Sequence, residues 1–305
     1  MKNSRHNFFL YLGLASLFLY SCNETNKAQK APHNTGLETQ TAKNPADSAL
    51  VHFWDTTQLQ HTVQIQNNEA AENQLAQFIG LLSQTPDSAL RDIAVAKMLD
   101  KTKSNRANFD YYIKLYENYL YDGNSPLRND ILYEAVLRYL IKTDVLTDLE
   151  KEAYRPVYKL ILRNKIGKPA EDFSYVLGNG TKQKLSEVKA KYTFLLFYDP
   201  DCPHCKEAIF QLRETPELVQ LFSQLQVQIV TVDPSGDPKR WKAHLPELSD
   251  SWINGLDVQR TIMSSNLYDL KATPTMYLLN EDKKVLLKDS YLDQIIQYLV
   301  NSKAR

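Results

Sequence analysis

The spacing of apolar residues divides the chain into two parts. Over residues 50–165, apolar side chains recur at intervals of three and four positions, which is typical of helices with one buried face. One such stripe consists of Leu75, Phe78, Ile79 and Leu82. Over residues 166–305, short apolar runs bounded by turn-forming residues alternate with helical stretches. The pattern therefore predicts an all-α helical domain followed by a separate α/β domain with a mixed sheet.

Polar residues and prolines predict where several helices begin. Thr147 and Glu150 have the spacing of a capping box, in which each side chain bonds the backbone of the other. Thr85 followed by Pro86 has the pattern of an N-cap with proline at the first helical position. Pro156 is expected to kink or split the helix that starts near Thr147, because proline removes a hydrogen bond of the helix.

Short apolar runs predict the strands of the second domain. They cover residues 173–177, 181–185, 192–198, 227–232, 275–279 and 285–287. The first two are predicted to form a hairpin, since Asn179-Gly180 supplies the positive φ angles of a tight turn. The chain between the fourth and fifth strands is predicted to be mostly helical, and residues 291–300 form a final helix.

The N-terminus has the features of an export signal. Lys2 and Arg5 precede an apolar run over residues 8–20, which is short for a membrane span and suits a signal-peptide core. The run leads into Leu-Tyr-Ser-Cys at residues 19–22, which resembles the bacterial lipobox. This resemblance implies a lipoprotein signal peptide over residues 1–21 and lipidation of Cys22. The alternative is an ordinary cleaved signal that leaves Cys22 as a free thiol.

The segment after Cys22 predicts a tether at a membrane. Residues 22–49 are rich in Asn, Thr, Gln, Ala and Lys, with little to bury, and are predicted to be flexible. About 25 such residues span roughly 25–30 Å as a coil. Asn23, rather than an aspartate, follows the lipidated residue, which favours the outer membrane by the sorting rule of bacterial lipoproteins. The predicted location is the cell envelope, lipid-anchored and facing the periplasm.

Charge and cysteine content narrow the possible functions. The 305 residues include 36 basic and 36 acidic side chains, so no nucleic-acid partner is expected. The chain has three cysteines. With Cys22 predicted to be lipidated, Cys202 and Cys205 remain as a pair.

Cys202 and Cys205 form a Cys-x-x-Cys motif between a predicted strand and a predicted helix. The first turn of a helix has unpaired backbone N–H groups and the positive end of the dipole, which stabilise a thiolate. Cys202 is therefore predicted to attack a substrate disulfide, and Cys205 to resolve the mixed disulfide. Pro203 suits the helix start, where no N–H is needed.

Two other interpretations of the motif stay open on the residues alone. Zinc sites use the same spacing, but zinc needs four ligands and only His204 is close in sequence, so no metal is predicted. A purely structural disulfide between Cys202 and Cys205 would close a loop too short to constrain the unfolded chain strongly. The favoured hypothesis is a redox-active disulfide between these two cysteines, with no further cofactor.

A second group of residues, Ala272-Thr273-Pro274-Thr275, stands just before a predicted strand. Together with the Cys-Pro-His-Cys motif it resembles the thioredoxin superfamily, and the added hairpin resembles the extracytoplasmic TlpA/ResA-like members. The resemblance implies a thioredoxin-like fold over residues 166–305, a cis bond before Pro274, and substrate binding at Thr273 and Pro274. Residues 119–130 resemble the helical domain of unknown function that precedes thioredoxin modules in a family of bacterial lipoproteins.

Residues around the motif favour opposite redox directions. His204 places an imidazole among the donors of the helix N-terminus, and the Pro-His pair resembles that of DsbA-type oxidases. Asp199 and Asp201 flank the motif, and nearby negative charge raises the pKa of a thiol. These residues alone leave the direction of exchange open.

The sequence thus predicts a lipid-anchored, extracytoplasmic thiol–disulfide oxidoreductase that acts on protein disulfides. The likeness to TlpA/ResA proteins makes a reductase the first hypothesis. The alternatives are a DsbA-like oxidase and a binding or assembly lipoprotein in which the helical domain has the main role. The expected partners are protein thiols and disulfides, a membrane or periplasmic redox protein that resets the pair, and the membrane through Cys22.

Overall fold

The computed structural model describes residues 45–57 and 69–303. The predicted signal peptide, the lipidation site Cys22 and most of the predicted tether lie outside the described residues. No helix within the described ranges combines the length and the hydrophobicity that crossing a membrane requires.

The described N-terminal part is helical. Its helices are α1 (Pro45–His52), α2 (Glu69–Gln84), α3 (Ser88–Thr102), α4 (Arg106–Leu120), α5 (Asp130–Leu140) and α6 (Asp148–Ile161). Helix α1 starts inside the segment 22–49 that is predicted to be a tether. It does so because Leu50 and Val51 are buried, together with Trp54, in the core of the helical domain.

The capping box at the start of α6 is confirmed. The Thr147 hydroxyl accepts from the Glu150 N–H at 3.3 Å, and the Glu150 carboxylate accepts from the Thr147 N–H at 2.7 Å. Pro156 lies inside α6, which continues to Ile161, so the predicted split does not occur. Pro156 is on an exposed face of the helix, where water can satisfy the carbonyl that it leaves unpaired.

The N-cap predicted at Thr85 is wrong. Helix α3 begins at Ser88, and the Asp87 carboxylate accepts from two backbone N–H groups of its first turn. A carboxylate also interacts favourably with the positive end of the helix dipole, which a hydroxyl does not. The Thr85 hydroxyl instead donates to the carbonyl of Leu81 at 3.1 Å, in the preceding helix.

The C-terminal part is an α/β domain with one mixed sheet. Its strands are β1 (Ser174–Leu177), β2 (Lys182–Lys184), β3 (Tyr192–Phe197), β4 (Val227–Asp233), β5 (Ile253–Leu256), β6 (Thr275–Asn280) and β7 (Val285–Leu287). Their order is β2-β1-β5-β4-β3-β6-β7, with β3, β4 and β5 parallel and the other neighbours antiparallel. The helices are α7 (Pro203–Glu214), α8 (Pro216–Gln224), α9 (Pro238–His244), α10 (Thr261–Ser264) and α11 (Leu292–Lys303). The predicted fold class, an α/β domain preceded by a helical domain, is confirmed.

Strand β5 lies where the apolar pattern predicts helix, and that prediction is wrong. The strand is short and contains Asn254 and Gly255, which have low β propensity. Its conformation is set by its neighbours, since it pairs with both β4 and β1. The Thr231 hydroxyl donates to the Asn254 side chain at 2.8 Å, and Gly255 leaves room for the ring of Tyr175.

The sheet brings the two sequence groups of the predicted site to one edge. Strands β3 and β6 are antiparallel neighbours, and Phe197 stands opposite Thr275. The chain that leaves β3 toward Cys202 and the chain that enters β6 from Pro274 therefore meet at this edge.

Candidate active site

Cys202 occupies the N-cap position of α7. Its backbone is extended (φ −72°, ψ 121°), and its sulfur accepts a hydrogen bond from the Cys205 N–H at 3.4 Å. Pro203 is the first residue of the helix. The sulfur thus takes the place of the side-chain oxygen that usually caps a helix, and a negative charge on it would face the positive end of the dipole.

The segment before β6 lies directly against Cys202. The peptide bond between Thr273 and Pro274 is cis, as the resemblance implies. The Cys202 thiol donates to the carbonyl oxygen of Thr273, with 3.2 Å between sulfur and oxygen. We call Thr273 and Pro274 the ledge. The fold thus brings together predicted site residues that are 71 positions apart in sequence.

The two thiols differ in burial and in acidity. Both are free in this structure; Cys202 is partly exposed and Cys205 is 0% exposed. Burial raises the pKa of Cys202, but hydrogen bonds with the side chains of Thr273 and Cys205 and with nearby backbone N–H groups outweigh it, so the pKa lies below its usual value. Burial raises the pKa of Cys205 to about 12. Cys202 is therefore the thiol that ionises first, which supports the attacking role predicted for it.

We expect iodoacetamide to modify Cys202 in the reduced, folded protein and to leave Cys205 intact. Only the thiolate reacts, so the rate at Cys202 should rise with pH through its lowered pKa and then level off. Cys205, with a pKa of about 12, stays protonated at neutral pH. Peptide mass spectrometry measures each cysteine separately, and protein unfolded in urea is the control in which both react. Faster labelling of Cys205 in the folded protein would contradict this assignment.

His204 affects the site through its backbone. Its imidazole is exposed, and its backbone N–H contributes to lowering the pKa of Cys202, after the larger effects of burial and of Thr273. Within residues 45–57 and 69–303, no group of three or more His, Cys, Asp or Glu side chains is arranged to hold a metal ion.

Arg240, in α9, is a residue of the site that the sequence analysis missed. Its guanidinium lies 3.5 Å from the carboxylate of Asp199 and 3.3 Å from that of Asp201. Its positive charge offsets the negative charge of the two carboxylates that flank the motif. Arg240 is 39 positions from Asp201, and no local signal in the sequence connects them.

A cleft of about 460 Å³ opens beside the ledge. Its lining includes Tyr198, Asp233, Arg240, Arg260, Met263 and Thr273. Asp233, the last residue of β4, is 0% exposed, and burial raises the pKa of its carboxyl against the opposing hydrogen bonds from Ser235. The cleft thus combines aromatic, apolar and charged groups next to the residue that contacts Cys202.

The fold and the site together define a class of protein. A mixed sheet places a Cys-x-x-Cys pair at the N-terminus of a helix, beside a cis-proline at the start of the neighbouring strand. These are the features of thioredoxin-like proteins.

Comparisons with known proteins agree with this class. Residues 38–164 match a family model described as a domain of unknown function (DUF5106), and residues 166–287 match the AhpC/TSA family. A thioredoxin-like protein from Bacteroides caccae of known structure is 33% identical over 91% of this chain and 99% of that chain, with a TM-score of 0.79. The C-terminal domain of a Bacteroides fragilis protein is 36% identical over 45% of this chain and 98% of that chain, with a TM-score of 0.44. A search of curated proteins gave no match.

The chain belongs to the family of thioredoxin-like proteins that carry an AhpC/TSA domain after an N-terminal DUF5106 domain. This confirms both resemblances seen in the sequence, the one to the thioredoxin superfamily and the one to the helical domain of unknown function. The chain spans nearly the whole length of the Bacteroides caccae protein, so the pairing of the two domains is common to both proteins.

Proposed function

We propose that the protein is a thiol–disulfide oxidoreductase that acts on protein disulfides through Cys202-Pro203-His204-Cys205. The observation that carries this proposal is the difference between the two thiols. Cys202 is partly exposed with a lowered pKa, whereas Cys205 is fully buried with a raised pKa. An exposed nucleophile can reach a substrate, and a buried neighbour can act only after the first step has occurred.

The reaction then has two steps. The Cys202 thiolate attacks one sulfur of the substrate disulfide and forms a mixed disulfide, and the released substrate thiolate takes up a proton. The Cys205 thiol loses its proton and attacks the Cys202 sulfur, which releases the second substrate thiolate. The substrate gains two electrons, and Cys202 and Cys205 are oxidised to a disulfide. An external dithiol protein must return the pair to its reduced form, and the reverse sequence would oxidise substrates.

The ledge orients the substrate. The carbonyl of Thr273 accepts a hydrogen bond from the Cys202 thiol, so a substrate chain that lies along Thr273 and Pro274 passes close to the nucleophile. The adjacent cleft can receive a substrate side chain, and its residues Arg260 and Met263 are exposed to it. The protein thus supplies position and an activated thiolate, which this chemistry requires.

Reduction of substrate disulfides is the direction that we propose. The likeness to TlpA/ResA-type proteins, in the Cys-x-x-Cys motif, the proline before β6 and the added hairpin, supports it. We expect equilibration with glutathione buffers to give a reduction potential below about −250 mV. A potential above about −150 mV would contradict the reductase and support the oxidase. The same measurement on the His204→Ala variant should give a reduction potential close to that of the wild-type protein.

Lipid anchoring at Cys22, in the outer membrane with the folded domains facing the periplasm, is part of the proposal. It is supported by the apolar run over residues 8–20 and the lipobox-like residues that follow it. In cells labelled with palmitate, we expect the wild-type protein to carry label and to sediment with membranes. The Cys22→Ser variant should lose both properties, and a variant that remains labelled would contradict the anchor site.

A further inference from the structure

The loop between α4 and α5 (residues 121–129, the α4–α5 loop) brings the helical domain against the ledge. A Cβ atom on Gly123 would lie 2.7 Å from the Cβ of Ala272 and 3.1 Å from the carbonyl carbon of Lys271. Only glycine permits an approach this close. Ala272 directly precedes Thr273, whose carbonyl accepts the hydrogen bond of the Cys202 thiol at 3.2 Å. The helical domain therefore contacts the residue next to the one that faces the nucleophile.

The α4–α5 loop is held in shape by its own hydrogen bonds. The Ser125 hydroxyl donates to the carbonyl of Tyr119 at 2.6 Å, and the Asn129 N–H donates to the carbonyl of Leu120 at 2.8 Å. Asn129 then caps α5 by accepting from two N–H groups of its first turn. A loop fixed at both ends in this way can act as a rigid support.

Arg128 and Tyr291 fasten the α4–α5 loop to the α/β domain. The Arg128 guanidinium donates to the carbonyl of Gly123 at 3.0 Å and lies 4.0 Å from the centre of the Tyr291 ring. It is also 3.3 Å from the carboxylate of Asp289. The Tyr291 hydroxyl donates to the carbonyl of Ser125 at 2.8 Å. One arginine thus joins the backbone of Gly123 to two side chains of the other domain.

Buried ion pairs also join the residues before the ledge to the helical domain. The Lys271 ammonium lies 2.6 Å from Asp130, the first residue of α5, and both side chains are under 10% exposed. Asp130 is also 2.9 Å from the ammonium of Lys288. The described residues of the two domains belong to one compact unit, in agreement with this close association. The helical domain thus holds the segment 271–273 through two contacts. Asp130 pairs with Lys271, and Gly123 packs against Ala272.

We propose that the α4–α5 loop of the helical domain is a positioning element for the ledge, holding Ala272 and Thr273 where a substrate chain can pair beside Cys202. The proposal rests on the oxidoreductase function proposed above. Gly123 and Ala272 are positioning residues, since neither touches the reacting sulfurs. A displacement of about 1 Å in a segment that orients a substrate can change a rate by orders of magnitude. The helical domain therefore acts on substrate binding, while the thiol chemistry belongs to Cys202 and Cys205.

The Gly123→Ala variant of the full-length protein tests the proposal in a protein-disulfide reduction assay. We expect KM to rise about tenfold, because the added methyl group displaces the ledge, and kcat to fall only as far as Thr273 moves away from Cys202. Gly80→Ala is the matched control in the same domain, since nothing lies within 4 Å of a Cβ at that position. Ala272→Gly removes the methyl group that the new one meets. The double variant Gly123→Ala/Ala272→Gly should return KM to within about threefold of wild type.

The outcomes separate this proposal from the oxidoreductase function. If the wild-type protein reduces disulfides and Gly123→Ala keeps the wild-type KM, the positioning role is contradicted and the function stands. A raised KM that Ala272→Gly does not relieve, together with a lowered unfolding midpoint of Gly123→Ala, also contradicts it, since a general loss of fold would behave in that way. If the wild-type protein is inactive, the oxidoreductase function itself fails. If Gly123→Ala does not fold, the single variant Ala272→Gly is measured instead. A KM raised severalfold would support the positioning role, and a wild-type KM would contradict it.

Discussion

The Cys202→Ser substitution is expected to lower the rate of protein-disulfide reduction by about a thousandfold or more. A serine hydroxyl stays protonated at neutral pH and cannot form the mixed disulfide. The fold should be unaffected, because serine is a favoured N-cap and its oxygen can accept the Cys205 N–H that the sulfur accepts now. An insulin reduction assay, with thermal unfolding measured in parallel, therefore separates lost chemistry from lost structure.

The matched variant, Cys205→Ser, should capture substrate proteins as mixed disulfides, which Cys202→Ser cannot do. It keeps the exposed, acidic thiol of Cys202 but lacks the thiol that releases the substrate, so mixed disulfides with substrate proteins should accumulate. Non-reducing gels of protein incubated with envelope extract would show them. The double variant Cys202→Ser/Cys205→Ser is the control and should trap none. Near wild-type activity in Cys202→Ser, or equal trapping by the double variant, would contradict the assigned roles.

The elements that were predictable from the sequence are those with a strong local signal. Strand β4 is rich in Val and Ile, and the capping box of α6 requires only Thr147 and Glu150, which are three positions apart. Strand β5 has no such signal, because Asn254 and Gly255 are extended only through pairing with two neighbouring strands. The cap at Asp87 shows the same limit on a smaller scale, since the predicted cap, Thr85, lies two residues before the one that caps the helix.

The candidate site was predictable to the extent that its residues are adjacent in sequence or belong to a recognised motif. Cys202 and Cys205 are close neighbours, and the ledge could be located through its resemblance to a known family. Arg240 could not be found, because its contact with Asp199 and Asp201 depends on how α9 packs after β4. The contact between Gly123 and Ala272 joins two domains, and nothing in the composition of either segment indicates it.

The Lys271→Met substitution is expected to lower the free energy of unfolding by about 3–5 kcal/mol at neutral pH. The Lys271 ammonium lies 2.6 Å from Asp130, 3.2 Å from Asp289 and 3.6 Å from Asp269, and all four side chains are nearly buried. Methionine is similar in length and fills most of the same space, so the loss reflects charge rather than packing. The substitution leaves buried carboxylates without their central cation, and burial makes such an imbalance costly.

The loss of unfolding free energy in Lys271→Met should be largest at neutral pH and smaller in acid. Burial raises the pKa of Asp130, but Lys271 and Lys288 outweigh it and hold that pKa below its usual value. Ionised Asp130 therefore stabilises the wild-type protein above its unfolded pKa, and this contribution disappears as the pH falls through the lowered value. Without Lys271, the pKa values of Asp130 and Asp269 rise, so both groups protonate earlier on acidification and the excess negative charge is removed.

Urea unfolding of wild type and variant, at neutral pH and at about pH 5, measures both effects. Lys114→Met is the matched control, because Lys114 pairs with Glu117 at 3.0 Å on an exposed face of α4, where screening by water makes an ion pair weak. Its unfolding midpoint should stay close to that of wild type at both pH values. A Lys271→Met protein as stable as wild type at neutral pH would show that the charges contribute nothing to joining the domains. A large loss of stability confined to Lys271→Met would show that charge, as well as packing, joins the residues before the ledge to the helical domain.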